Sequence, residues 1–343
     1  MSGGVDSSVA AALTATARGP GDCLGVAMRL TSTGEHEARA GRTCCAPDDL
    51  YDARRAAAKV GIRFYVYDAQ ERFREHVIEP FVASYARGET PNPCVRCNDF
   101  VKFDWLLDRA RRLGCDELVT GHYARVTEQG GVVRLLRARD PSKDQSYFLH
   151  GLTQEALRSV RFPLGDLTKT EVRTLARARG LPNADKPESM EVCFVGDAPL
   201  GDFLEAHGVA RARGEIVDRE GRVLGEHDGV HRFTVGQRRG LNIAYKLPLY
   251  VAAIDASHQQ IIVGTRAEAA RTSFHIRWTN AAFEGRCEVQ VRHRGKPLSC
   301  TVDGDRVMLD EPAVGVAPGQ SAVFYQGEVV LGGGTIQPNE RRN

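Results

Sequence analysis

Near its start the chain reads Ser2-Gly3-Gly4-Val5-Asp6-Ser7-Ser8, two glycines, a carboxylate and three hydroxyls running into an alanine-rich segment. Gly3 and Gly4 let successive backbone N–H groups curl into a concave nest, and a helix beginning there adds its positive end. Ser2, Ser7 and Ser8 offer hydroxyl donors to phosphate oxygens, and Asp6 offers a carboxylate to a magnesium ion. No Gly-Lys-Ser/Thr ending follows, so this is not the loop that grips β- and γ-phosphates with a lysine. The pattern suits capture of a pyrophosphate leaving group, which means attack at an α-phosphorus and adenylation of a substrate. A glycine turn with a serine helix cap is the plainer reading; the density of polar groups in so short a run favours the nucleotide. Such a loop ordinarily follows a buried strand. Only Met1 precedes it here, which reads as a misassigned start codon in preference to loss of a central strand.

A second reactive run is Thr90-Pro91-Asn92-Pro93-Cys94-Val95-Arg96-Cys97-Asn98. Two prolines stiffen the approach. Cys97 precedes a helix expected from about Phe100, where amide dipoles and Arg96 would favour thiolate, the form that attacks sulfur and binds metal. Cys94 and Cys97 form a single CxxC; a zinc site needs two more ligands at suitable spacing, and no second CxxC is present. Cys193, in Glu191-Val192-Cys193-Phe194, reads on its own as a cysteine buried at a strand end.

The chain has 343 residues, enough for two or three cored domains, with 42% hydrophobic and 26% charged residues. No apolar run approaches the ~20 residues of a membrane span and no signal peptide is evident, so a cytoplasmic location is expected. Nine cysteines are an odd count. Without an export signal they point to reduced thiols, metal ligation or redox chemistry before a disulfide framework. Cys23, Cys115, Cys287 and Cys300 fall in or beside apolar stretches and read as core residues. Cys44 and Cys45 have no assigned role; the stretch around them, Thr31–Cys45, reads as a mobile loop.

The elements that must position these groups alternate through the first 195 or so residues. Val9–Ala17 reads as helix, Leu24–Leu30 as strand, Asp48–Val60 as helix closing on Gly61, and Arg63–Asp68 as strand. Phe100–Leu113 reads as an amphipathic helix, Glu117–Thr120 as a short strand, Gly130-Gly131 as a hairpin turn, and Thr168–Arg179 as a helix with a Thr168/Glu171 capping box. This βαβ rhythm predicts an α/β domain with a parallel sheet and ligands at the carboxyl ends of its strands. After about Gly196 helical periodicity fades, apart from Asp202–His207. Short strands alternate with turn signals, predicting small β-domains and a barrel from about residue 268.

Ser2–Ser8, Thr90–Asn98, Gly121-His122-Tyr123-Ala124-Arg125, Lys143-Asp144-Gln145-Ser146-Tyr147-Phe148, Glu191–Phe194, Thr234–Gly240 and Gly332-Gly333-Gly334 together resemble the bacterial tRNA-specific 2-thiouridylases, over essentially the whole chain. The resemblance implies a PP-loop ATP pyrophosphatase-type parallel-sheet domain over residues 1–195, lacking its first strand. A β-rich linking domain over 196–267 and a tRNA-contacting β-barrel over 268–343 would follow. It implies an ATP- and Mg2+-dependent enzyme that replaces the C2 oxygen of a tRNA wobble uridine with sulfur. The loop Ser2–Ser8, including Val5, together with Met28 and Gly121, would bind ATP, and Asp6 would hold Mg2+. Cys193 would carry a persulfide and Cys97 would act beside the base. Either Cys97 attacks C2, or hydrosulfide released from Cys193 does so, leaving a Cys97–Cys193 disulfide that must be reduced. Asn92, Pro93, Cys94, His122, Lys143, Asp144, Gln145, Arg292, His293 and Gln337 would touch tRNA. A sulfur donor, cysteine desulfurase or relay protein, is implied, and the enzyme is expected to be a monomer.

Cys94 stands where other members of that family carry an acid. Cys94, Cys97 and Cys193 are therefore read also as candidate ligands of a [4Fe–4S] cluster with one open iron. Net charge is only +2, so tRNA contact would rest on local clusters such as Arg109–Arg112, Gln237–Arg239 and Gln290–Arg294. Each could equally be a solvated charged face. Competing readings are another adenylating enzyme, such as an amidating ligase or lysidine synthetase, which has no need of two thiols. A non-catalytic RNA- or nucleotide-binding protein and a zinc-stabilised scaffold complete the set.

Overall fold

A computed structural model describes residues 1–31, 47–187, 192–196, 198–280 and 282–338. Most of the Thr31–Cys45 loop, with Cys44 and Cys45, lies outside them, as does Glu191. The chain divides into two compact units, the first comprising 1–77, 94–197 and 328–330, the second 78–93, 198–327 and 331–343.

The first unit opens with helix α1 (Val5–Arg18), strand β1 (Leu24–Arg29), α2 (Pro47–Val60) and β2 (Arg63–Asp68). Gly61, at φ +82°, lets the chain turn off α2 and donates to Ala57 and Ala58 carbonyls, closing the helix where glycine was expected to. Next come α3 (Gln70–Phe73) and a π-helical turn over Arg74–Ile78; α4 (Glu79–Ala86), which follows in the chain, belongs to the second unit, and the chain re-enters the first at α5 (Pro93–Arg96). A π-helical stretch, Cys97–Leu106, then runs into α6 (Leu107–Arg112). Helix was expected only from Phe100; it begins at Pro93. Proline suits a first helical position because its missing N–H has no partner to lose, and the wide π turns blur the 3.6-residue spacing that marks an α-helix.

Strand β3 (Leu118–Val119), the hairpin β4 (Arg125–Gln129)–β5 (Val132–Leu136), α7 (Gln154–Arg158), β6 (Val160–Arg161) and α8 (Lys169–Ala178) complete this unit. At α8 the Thr168 hydroxyl accepts from the Glu171 N–H while Glu171 accepts from the Thr168 N–H, the expected capping box. The strands are parallel, as expected, but pair as two separate ribbons, β1–β2 and β3–β6; no described strand bonds to both. The Met1 amino group donates to the Val26 carbonyl of β1. Apolar faces of α1 and α8 (Val5, Val9, Val172, Ala176) pack with Tyr123 and Leu164 into one core that backs the Ser2–Ser8 loop. Burying such side chains contributes roughly 1.5–3 kcal/mol for each Val or Leu, which fixes the loop's base.

In the second unit, α9 (Leu200–Ala206) precedes a four-stranded sheet. Its strands β7 (Gly214–Val217), β8 (Val223–His227), β9 (Tyr250–Asp255) and β10 (Gln260–Gly264) lie in the order β8-β7-β10-β9. After α10 (Arg266–Ala269), the strands β11 (Arg271–Trp278), β12 (Gly285–Gln290), β13 (Leu298–Asp303), β14 (Arg306–Ala313), β15 (Ser321–Gln326) and β16 (Val329–Ile336) follow. They neighbour one another in the order β11-β14-β13-β12-β15-β16, and Ile276–Trp278 pairs with Gly334–Ile336 to close the ring. Closure leaves no open edge. Phe274, Ile276, Val289, Val302, Val307, Phe324 and Ile336 fill its interior.

Candidate active site

The Ser2–Ser8 loop is held from three sides. Gly3 takes φ +75°, a backbone setting glycine alone adopts freely, and a Cβ there would collide with the Asp49 backbone. Asn183, buried, donates to the Gly3 carbonyl at 2.9 Å and to Ser8 Oγ at 2.8 Å. Ser7 and Ser8 each donate to the Gly4 carbonyl at 3.1 Å, and the Ser2 N–H donates to Ser7 Oγ at 3.0 Å. Gly4 caps α1 with no side-chain bond, so the serines are not its cap. Gly121 lies flat against the loop: a Cβ on it would fall 2.7 Å from Ser7 N and 2.8 Å from the Asp6 carbonyl carbon.

Asp6 is engaged on both carboxylate oxygens. Lys169 Nζ donates at 2.7 and 2.8 Å, and the Tyr123 hydroxyl donates at 2.8 Å. A magnesium ion at Asp6 would have to displace Lys169. Met28 lies on β1 opposite Tyr67.

The Cys97 segment joins the same unit through side-chain amides. Cys97 is buried and Cys94 exposed. Asn98 donates to the Phe148 carbonyl at 2.9 Å and accepts from Lys102 at 3.0 Å. Phe148 N–H donates to Gln145, whose side chain accepts from Tyr123 N–H at 2.9 Å. Tyr123 in turn reaches Asp6. A continuous series of hydrogen bonds thus links the thiol-bearing helix to the phosphate-type loop. Cys193 lies in a turn and is half-buried, not at a strand end. The Phe194 ring packs on Phe73 at 5.6 Å, while Phe100 stacks on His76 at 5.4 Å and Arg96 donates to the His76 carbonyl at 2.6 Å. Phe73 and His76 are one helical turn apart, so the segments carrying Cys193 and Cys97 dock on neighbouring turns of one helix.

Two groups of this unit have displaced pKa values. Burial pushes the Asp99 carboxyl up to about 7 against the pull of Arg96, and Asp99 lies against Gly151. Burial, with Lys102 nearby, holds His122 well below its ordinary value, so its ring is neutral at pH 7; Nδ1 lies 2.8 Å from the Thr120 hydroxyl.

Comparison with known proteins fits this arrangement. Residues 1–197 match a family described as the tRNA methyl transferase HUP domain, 201–265 the tRNA methyl transferase PRC-barrel domain, and 270–336 the aminomethyltransferase beta-barrel domain. The chain is 50% identical to the tRNA-specific 2-thiouridylase MnmA of Geobacter metallireducens, over 98% of its own length and 95% of that protein's. For the MnmA proteins of Acidothermus cellulolyticus and Zymomonas mobilis the identities are 47% and 46%, over 99% and 98% of this chain and 97% and 92% of theirs. The chain belongs to the tRNA-specific 2-thiouridylase family.

For a thiouridylase, the residues expected at the tRNA fall into two kinds. Asp144 is turned inward, accepting from Arg137, the Ala138 N–H and Ser146, and Gln145 is committed to Tyr123. Their side chains shape the loop that presents Lys143. Arg292 is exposed and His293 half-buried, in the turn after β12 and not within a strand, because β12 ends at Gln290. Gln290 donates to the Gly295 carbonyl at 2.8 Å and ties that turn shut. Gln337 donates from its backbone to His275 and from its side chain to the Thr335 carbonyl. Thr90 donates to the Pro318 carbonyl and Gln320 donates to the Thr90 carbonyl, bracing the run that leads to Asn92 and Pro93. Arg238 and Arg239 are exposed beside Gly236. The Arg109–Arg112 cluster is partnered instead: Arg109 lies 3.7 Å over the Trp105 ring, Arg111 pairs with Glu155 and Arg112 with Asp108.

Lys169, Asn183 and Tyr123 are site residues that sequence reading missed, since each reaches its partner across a large sequence separation. Lys186, which bridges Asp49 and Asp52 at 2.6 Å each, is another. Among the described residues no three His, Cys, Asp or Glu side chains form a metal-holding group, and Cys94 points to solvent while Cys97 is buried.

Proposed function

We propose that this enzyme thiolates C2 of the wobble uridine of tRNA, with ATP as activator and a persulfide on Cys193 as sulfur source. The observation that carries this reading is the hydrogen-bonded series from the Ser2–Ser8 loop to the Cys97 helix, in a chain of the thiouridylase family. Uridine C2 is an amide-like carbonyl whose oxygen leaves only after activation. The loop's backbone N–H groups and Ser2, Ser7 and Ser8 receive the pyrophosphate as the C2 oxygen attacks the α-phosphorus. Lys169, held on Asp6 beside that loop, supplies a positive charge that shifts from carboxylate to phosphate as the leaving group develops; Asp6 would hold a Mg2+ accompanying ATP, which would offset the phosphate charge. Met28 and Gly121 line the adenosine side. His122, kept neutral, positions the extruded base without repelling a cation.

Sulfur then displaces AMP from C2. Cys193 brings the sulfur as persulfide, and Cys97 closes the cycle by forming a disulfide with Cys193, which a thiol reductant reopens. No step requires an iron–sulfur cluster. The methyl-transfer wording of the matched family descriptions would leave both the nucleotide loop and the paired thiols idle. The proposal extends to three domains, 1–195, 196–267 and 268–343, to tRNA contacts through Asn92–Cys94, Lys143, Arg292–His293 and Gln337, and to a separate sulfur-donor protein. It extends also to a monomer acting in the cytoplasm; no helix among the described residues is long and apolar enough to cross a membrane.

The test is incubation of unmodified tRNA with enzyme, ATP and a persulfide donor, followed by nucleoside mass spectrometry. The expected products are 2-thiouridine, AMP and pyrophosphate in equal amounts. ATP consumption without thiolated nucleoside would overturn the assignment.

A further inference from the structure

Cys287 on β12 and Cys300 on β13 are directly opposed in the antiparallel register of the barrel, with Sγ atoms 3.4 Å apart. Opposed residues in such a pair hold their Cα atoms about 4.5–5.5 Å apart, inside the span a disulfide bridges. The two thiols are unequal. Cys300 is buried in the barrel core, whereas Cys287 is half-buried on the strand between the exposed Arg286 and Glu288. We propose that Cys287 and Cys300 form a redox-active dithiol, a modification site that takes low-molecular-weight disulfides and closes into a cross-strand disulfide.

Cys287 is the attacking sulfur. The hydrogen bond between the two sulfurs lowers the Cys287 pKa below the ordinary thiol value, while the same bond and burial drive that of Cys300 upward. In the first step the Cys287 thiolate attacks one sulfur of RSSR, forming Cys287–S–SR and releasing RS⁻, which takes up a proton. In the second, Cys300 loses its proton and attacks Cys287 Sγ, releasing the second RS⁻. The dithiol surrenders two electrons and two protons, and RSSR becomes two RSH. The bond would cross the middle of the β12–β13 ladder, whose connecting turn carries Arg292 and His293. This site does not depend on the thiolation reading, since its chemistry involves neither Cys97 nor Cys193.

The test uses the full chain, incubated with oxidised glutathione, alkylated, digested and mapped by mass spectrometry. The expected result is a Cys287–Cys300 linked peptide, with a Cys300→Ser variant trapping glutathione on Cys287 and a Cys287→Ser variant leaving Cys300 reduced. Exposed Cys94 serves as an internal indicator that the oxidant is active. Recovery of both Cys287 and Cys300 as alkylated thiols after Cys94 has acquired glutathione would overturn the proposal, as would linkage of Cys287 to any other cysteine.

Discussion

Adding one methyl group to Gly121 probes the nucleotide loop most sharply. In Gly121→Ala the new Cβ would sit 2.7 Å from Ser7 N and 2.8 Å from the Asp6 carbonyl carbon, closer than a carbon tolerates and against backbone that cannot swing aside. The loop has little room to yield, because Asn183 pins the Gly3 carbonyl and Ser8 Oγ from the opposite side. Overpacking of this kind costs about 1–3 kcal/mol. If the strain is relieved by shifting the Ser7 amide out of the nest, ATP affinity falls by about 5- to 150-fold, the same range converted at about 1.4 kcal/mol per tenfold. Titration calorimetry with ATP, alongside tRNA binding by filter retention, reads both partners. The expectation is weakened ATP binding with tRNA affinity unchanged. A variant that folds and binds ATP as wild type does would refute the claim that the Ser2–Ser8 backbone is the phosphate cradle.

Three further expectations rest on separate features. Lys169→Met removes the cation from Asp6 while leaving the Tyr123 bond; pyrophosphate release in single turnover should fall about 100-fold, or about 2.7 kcal/mol of transition-state stabilisation, and a rate within threefold of wild type would exclude Lys169 from the step. His150 is buried, and that burial lowers its pKa from 6.5 to about 4. The unfolded chain therefore takes up this proton first, so stability is full above pH 6.5 and falls by about 3 kcal/mol as the pH drops through that window. His150→Leu should flatten the slope in urea titrations between pH 4 and 6.5, and an unchanged slope would contradict the burial argument. Arg292→Glu and Arg238→Glu should weaken tRNA binding and reduce its salt dependence by about one counterion or more each. Arg112→Glu, whose arginine is already paired with Asp108, should do neither.

What could be read from residues alone was whatever is encoded locally. The Thr168/Glu171 capping box and the Gly61 helix stop each need only a few neighbouring residues, and both stand as expected. The helix bearing Cys97 was misplaced because π turns disguise its periodicity. The pairing of the parallel strands was not legible, since strand order depends on contacts that no single segment contains. The loop serines were visible, but Lys169 on Asp6, a separation of 163 positions, was not. Asp144 and Gln145 were placed at the tRNA by resemblance; the residues alone do not reveal that their side chains also accept from backbone amides of their own unit. Cys287 and Cys300 passed as core cysteines for a related reason: hydrophobic context predicts burial, but only strand register sets one sulfur against the other.

The account's central claim is that activation and sulfur delivery are separate tasks of one site, the first assigned to the Ser2–Ser8 loop and the second to Cys97 and Cys193. A single-turnover assay with unmodified tRNA, ATP and a persulfide donor, following pyrophosphate and 2-thiouridine together, measures both. Cys97→Ser and Cys193→Ser should each release pyrophosphate at close to the wild-type rate while 2-thiouridine falls by at least about 100-fold. Near-normal 2-thiouridine from Cys193→Ser under the same conditions would contradict the account.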